Sequence, residues 1–74
     1  MLWLIRGEDQ SDSIVGCNIF TDSTKPKTEH QLWVTRTNGK TTMIDANEDK
    51  GVVQEIKDAI DYAIETGEPA LRIK

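Results

Sequence analysis

The stretch Gln31-Leu-Trp-Val-Thr-Arg-Thr-Asn-Gly-Lys-Thr-Thr-Met-Ile-Asp45 decides the fold class. Asn38-Gly39 sits between two runs rich in Thr, Val, Trp and Ile, residues that suit a pleated surface. A two-residue type I′ turn needs positive φ at both central positions, which Asn tolerates and Gly adopts freely. The stretch therefore predicts a β-hairpin in which Thr35 opposes Thr42, Val34 opposes Met43 and Trp33 opposes Ile44. Residues directly opposite share a face. One face would then carry Trp33, Thr35, Thr42 and Ile44, and the other Leu32, Val34, Arg36 and Met43. Both faces are apolar near the base of the hairpin.

Working outward, Leu2 to Arg6 reads as an internal strand, followed by a polar loop from Gly7 to Ser13. Ser13 to Phe20 reads as a second strand, with Val15, Cys17 and Ile19 on one face. Gly16 suits a bulge there. Thr21 to His30 has the composition of a long connecting loop. Beyond the hairpin, Val52, Val53, Ile56, Ala59, Ile60, Ala63 and Ile64 recur at helical spacing and predict an amphipathic helix over 52–66. Asn47 or Asp49 can cap its start, and Gly67 suits the left-handed position after its end. Pro69 prevents continuation, and Ala70 to Lys74 forms a last short strand.

The expected fold is a small α+β, ββββαβ two-layer sandwich spanning 1–74 as one domain. It has an antiparallel or mixed sheet with the helix of its C-terminal half packed on one face. A four-strand meander followed by a helix places the last strand beside the first and antiparallel to it.

Composition narrows the function. The chain has 74 residues, 30% of them charged, and a formal net charge of −4. A chain so short leaves no room for a deep catalytic cavity behind a complete core. The acidic balance disfavours nonspecific binding to nucleic acid or to anionic membranes, which takes clustered Lys and Arg. One cysteine cannot form an internal disulfide, and a reducing, cytoplasmic setting is expected. Met1 to Ile5 is too short an apolar run for a signal peptide or a membrane span.

Chemistry-bearing residues are few. Cys17 lies mid-strand among apolar neighbours, where a thiol is ordinarily a small buried hydrophobe, so a Cys17–His30 dyad is disfavoured. One Cys and one His cannot complete a zinc site within one chain. Asp45, Asn47 and Asp49 alternate like the first ligands of a calcium loop. However, Lys50 stands where that loop needs Gly, and Ile56 where it needs a bidentate Glu. The segment reads instead as an Asx-rich turn into a helix N-terminus. No metal, cofactor or catalytic residue is expected, and the chain is not expected to be an enzyme. A small enzyme with a site at a dimer interface is the weakest alternative.

Two surface features point to partners. The predicted exposed helix side carries Glu55, Asp58, Asp61, Tyr62 and Glu65, with like charges three or four residues apart, an arrangement that costs helix stability. Asp61 and Glu65 also lie toward the end where the helix dipole disfavours anions. From Asn47 to Glu68 there are seven acidic and two basic residues, which suits docking to a protein with a basic surface. Secondly, one helix cannot cover Trp3, Trp33, Ile44, Leu32, Val34 and Met43 on both faces. Trp3, Trp33 and Ile44 are thus expected at a homodimer interface, unless the 21–30 loop covers them. Sheet-borne Trp stacking on single-stranded nucleic acid, helped by Arg6, Arg36, Lys25, Lys27 and Lys40, is the rival reading.

Overall fold

The computed structural model describes residues 1–7 and 10–73. The chain runs β1 (Leu2–Arg6), β2 (Gln10–Asp22), β3 (Glu29–Arg36), β4 (Thr41–Asn47), α1 (Lys50–Glu65) and β5 (Ala70–Ile73). The five strands form one sheet in the order β4-β3-β2-β1-β5, with α1 packed on one side. The expected ββββαβ sandwich is what forms.

The helix follows from its sequence. Val53, Ile60 and Ala63 are buried, Ile56 and Ile64 pack against them, and all five fall within one helical stripe. Asp49 is the N-cap, its Oδ1 accepting from the Gly51 N–H at 2.9 Å. Asn47 holds the cap in place by accepting from the Asp49 N–H at 2.8 Å. At the other end Gly67, with φ of 75°, lets its own N–H reach Ile64 O while the Glu68 N–H reaches Ala63 O. That pair of bonds is the Schellman arrangement. Beneath the helix the core is completed by Leu2, Leu4, Ile14, Leu32 and Val34, all fully buried.

Four expectations need correction. The first concerns the hairpin tip. Arg36 N–H donates to Lys40 O at 2.7 Å and Gly39 N–H to Arg36 O at 2.9 Å, so the loop holds Thr37, Asn38 and Gly39 rather than two residues. Only Gly39 takes positive φ, at 87°; Asn38 does not. Its carboxamide instead accepts from the Lys40 N–H at 3.0 Å. A three-residue loop ending in a left-handed Gly is the alternative hairpin closure available to the same dipeptide.

The second correction follows from the first. The longer loop shifts the register by one, so Thr35 faces Thr41, Val34 faces Thr42 and Trp33 faces Met43. A one-residue slip exchanges the faces of a strand. Met43 therefore stands with Trp33 on the side away from the helix. An irregularity between Leu32 and Trp33 accommodates Ile44 as an extra residue, and Ile44 packs against the core. The expectation that placed Ile44 beside Trp33 is overturned; Met43 takes that place.

Third, β2 is longer than expected. It begins at Gln10 and ends at Asp22, and β3 already begins at Glu29. Of the predicted 7–13 loop, Gln10 to Ser13 are therefore strand, and residues 8 and 9 lie outside the described residues. The 21–30 loop contracts to residues 23–28, and the bulge on β2 lies between Ile14 and Gly16.

Fourth, β5 lies beside β1 as expected but runs parallel to it, with Trp3 level with Ala70. The reason is the length of β2. Strand β1 pairs with Gln10–Ile14, whereas β3 pairs with Ile14–Asp22, so the two flanks of the sheet are offset along β2. Strand β4 ends at Asn47, beside His30 and level with Thr21; β1 begins at Leu2, level with Ile14. Those levels differ by roughly 23 Å at ~3.3 Å per residue. A helix of 16 residues rises about 24 Å. Thus α1 climbs from the foot of β4 only to the foot of β1, where Trp3 N–H donates to Pro69 O at 3.0 Å. The chain then continues upward alongside β1.

Candidate functional site: an acidic helix face and an open sheet face

The two surface features foreseen in the sequence lie on opposite sides of the molecule. On the helix, Glu55, Asp58, Tyr62 and Glu65 are exposed. At 100° per residue their directions cluster diametrically opposite Val53 and Ile60. Tyr62 is 68% exposed and is surrounded in the helical net by the three carboxylates. No basic residue occupies the last helical turn, so the carboxylates around Tyr62 run against the helix dipole at its C-terminal end.

Asp61, the remaining member of the expected acidic set, behaves differently. It is partly buried at the flank of the helix, where Lys57 Nζ donates to Oδ2 and Cys17 Sγ donates to Oδ1 at 3.3 Å. The neighbouring carboxylate holds the Lys57 ammonium above its ordinary value. Burial first, then the hydrogen bond and charge of Asp61, push the Cys17 thiol up to about 12. Asp61 thus also attaches the helix to the sheet, with its side chain 46% exposed. Asp58 is relieved in a smaller way, accepting from Gln54 Nε2 at 2.8 Å.

The other side of the sheet is uncovered. Trp3 is 46% exposed, Phe20 58% and Met43 43%; Trp33, level with Met43, is half-buried, and Trp3 stands apart on β1, level with Ser13. Asn18 pairs with Trp33 and Phe20 with Gln31, so Phe20, Gln31 and Trp33 share this face, together with Thr41. They line a groove of about 390 Å³. The indole of Trp33 is fixed in place: Nε1 donates to Gln31 Oε1 at 3.0 Å, and Gln31 Nε2 donates to Glu29 Oε1 at 2.8 Å. Lys25 Nζ reaches the same carboxylate oxygen at 2.9 Å. These two donors hold the Glu29 carboxyl below its ordinary range, Gln31 contributing most. The 23–28 loop is exposed throughout. Lys27 points from it toward Glu48 at 3.8 Å, and the loop leaves Phe20, Trp3 and Met43 open to solvent.

Arg72 shares the open face with Trp3, where it donates to Gly7 O at 3.2 Å, but the two other arginines are placed apart from these aromatics. Arg6 and Arg36 share the face of Leu4 and Val34, beyond the helix. There each guanidinium takes one oxygen of Asp12, both at 2.9 Å. Sequence reasoning did not single out Asp12. It lay in a segment read as loop, and its two partners come from different strands.

Candidate chemistry is dispersed. Cys17 is level with Val34 and His30 with Thr21, four residues along the sheet and roughly 13 Å apart at ~3.3 Å per residue. His30 Nδ1 is 3.0 Å from Thr21 Oγ1. Asn47 and Asp49 spend their side chains on capping. Among the described residues no three His, Cys, Asp or Glu side chains converge to hold a metal ion, and no helix is long and apolar enough to cross a membrane. No protein-family model, curated protein or solved structure matches the chain.

Proposed function

We propose that the chain is a non-catalytic interaction or regulatory protein that self-associates and presents the outer face of α1 to a protein partner with a basic surface. The observation that carries the reading is Tyr62, exposed on the line of the helix farthest from the core and flanked by Glu55, Asp58 and Glu65. An exposed aromatic ringed by like charges contributes nothing to packing. It has the make-up of an interface anchor, because aromatic side chains supply contact area at small entropy cost. The carboxylates around it would steer a partner rich in Arg and Lys and fix its register. The local charge also runs counter to helix stability, a cost that a binding role offsets. A reducing, cytoplasmic setting remains part of this proposal.

Single-stranded nucleic-acid binding by the sheet has less support. The aromatics are present, but Arg6 and Arg36 are engaged with Asp12 on the opposite face and Lys25 with Glu29.

The test is affinity capture with tagged wild-type chain and with the variant Asp58→Lys/Tyr62→Ala/Glu65→Lys, with and without nuclease. Nuclease-resistant capture of a protein bearing an Arg/Lys-rich surface is expected, and the variant should lose it while keeping its thermal midpoint. Equal capture by the variant contradicts the proposal.

A further inference from the structure

We infer that the groove lined by Phe20, Gln31, Trp33 and Thr41 takes a small organic cation, a primary ammonium carried a few bonds from an aromatic ring. The ring lies over Phe20 and Trp33, and the N–H donors go to Asp22 and Glu29. The site is on the side of the sheet away from Tyr62 and does not depend on what the helix binds.

The groove has the size and the lining for such a ligand. Its volume of about 390 Å³ falls among those of small-molecule sites. Phe20 is 58% exposed, and the Trp33 indole is already held by Gln31, so little side-chain entropy is left to lose on stacking. Aromatic faces of this kind attract cations.

The neighbouring carboxylates select the charge. Phe20 opposes Gln31, and two residues further along each strand Asp22 opposes Glu29 on the same face. That step is roughly 7 Å at ~3.3 Å per residue, within the reach of an arylalkyl amine. Like charges directly opposite one another destabilise a strand pair, and a cation between them removes that cost. Each carboxylate has one oxygen in use. Asp22 Oδ1 accepts from the Thr24 N–H and hydroxyl, and Glu29 Oε1 from Lys25 and Gln31. Asp22 Oδ2 and Glu29 Oε2 accept no hydrogen bond among the described residues. A primary ammonium has three N–H donors to offer them, whereas a quaternary one has none.

The chain already places one ammonium here. Lys25 Nζ lies 2.9 Å from Glu29 Oε1. Glu29 chiefly, with a smaller contribution from Asp22, holds that ammonium above its ordinary value. Lys25 does not line the groove, so it occupies the charged end and leaves the aromatic part open. It is thus an internal competitor for the ligand's cation.

The experiment is an NMR titration of the isotope-labelled chain at neutral pH and fixed ionic strength. The probes are 2-phenylethylammonium chloride and its neutral and anionic counterparts, 2-phenylethanol and 3-phenylpropionate. The Trp33 Nε1–H resonance reports on the groove, and that of Trp3 is the control. Half-saturation of the Trp33 shift by the ammonium is expected at about 1 mM. The alcohol should bind at least about five-fold more weakly, and the carboxylate should not saturate. Asp22→Asn/Glu29→Gln should bring the ammonium to the alcohol's level. Lys25→Gln, which removes the competitor, should tighten it about three-fold. Absence of saturation by about 10 mM overturns the inference, as does an equal response of Trp3 or equal binding of ammonium and alcohol. Should the double variant fail to fold, Lys25→Gln decides: unchanged or weaker binding of the ammonium overturns the inference.

Discussion

Cys17 Sγ donates to Asp61 Oδ1 at 3.3 Å, so the one thiol of the chain is the point where the sheet grips the polar flank of the helix. The contact keeps the thiol protonated, since both burial and the adjacent carboxylate oppose the thiolate. Cys17 should therefore react with a thiol reagent at pH 8 far more slowly than an unfolded control, and at the control's rate once denaturant is added. Its raised folded value has a linked consequence. Stability from this group is complete below the unfolded value near 9 and is lost as pH rises from there toward about 12. Replacing Cys17 with Ala should flatten the alkaline limb of the stability profile.

The acid limb rests on different residues. Asp22 is held below its ordinary value chiefly by Thr24, whose hydroxyl and N–H both donate to it. Glu29 is held down by Gln31 and Lys25. Depressed carboxylates contribute stability above their unfolded values and lose it as pH falls through the folded ones. Unfolding followed from pH 6 to pH 2 should show stability declining below the ordinary carboxylate range. Thr24→Val with Gln31→Leu should make the decline shallower.

At the hairpin tip the two closures make different demands. Gly39→Ala places a side chain at φ of 87° and should cost about 1 kcal/mol in urea unfolding. Asn38→Ala removes only the bond to the Lys40 N–H and should cost less, about 0.5 kcal/mol. In a two-residue type I′ turn both positions would be strained. Equal losses would therefore restore the shorter loop.

Asp12→Ala should lower stability by about 2 kcal/mol, because two guanidiniums then lose their charged acceptor in a partly buried setting. Their Nε atoms already lack a partner among the described residues. Asp12→Asn should fall between, since a carboxamide oxygen can accept from one arginine but carries no charge.

These predictions trace what could be read from the chain and what could not. The helix was legible because its whole argument is local: a 3.6-residue period, Asp49 before it and Gly67 after it. Strand order was legible for the hairpin and for β5 beside β1. The direction of β5 was not. It depends on the offset between β1 and β3 along β2, which appears only once Gln10–Ser13 and Thr21–Asp22 are known to be strand. Polar residues such as Ser11, Asp12 and Asp22 mask that. The register of the hairpin was also hidden. Asn38-Gly39 serves a two-residue and a three-residue loop equally, and the choice is made by packing, which draws β-branched Ile44 into the core and leaves flexible Met43 outside. The acidic face was legible except at Asp61, whose attachment to Cys17 joins residues 44 positions apart.

The central claim, that a basic protein docks over Tyr62, is tested most directly by placing a photo-crosslinking aromatic at position 62 and, separately, at position 20. Position 62 is predicted to yield a nuclease-resistant crosslink to a second protein through an Arg/Lys-rich peptide, weakened by added salt. A crosslink from position 62 only to copies of this chain, or to an acidic or apolar peptide, would contradict the account.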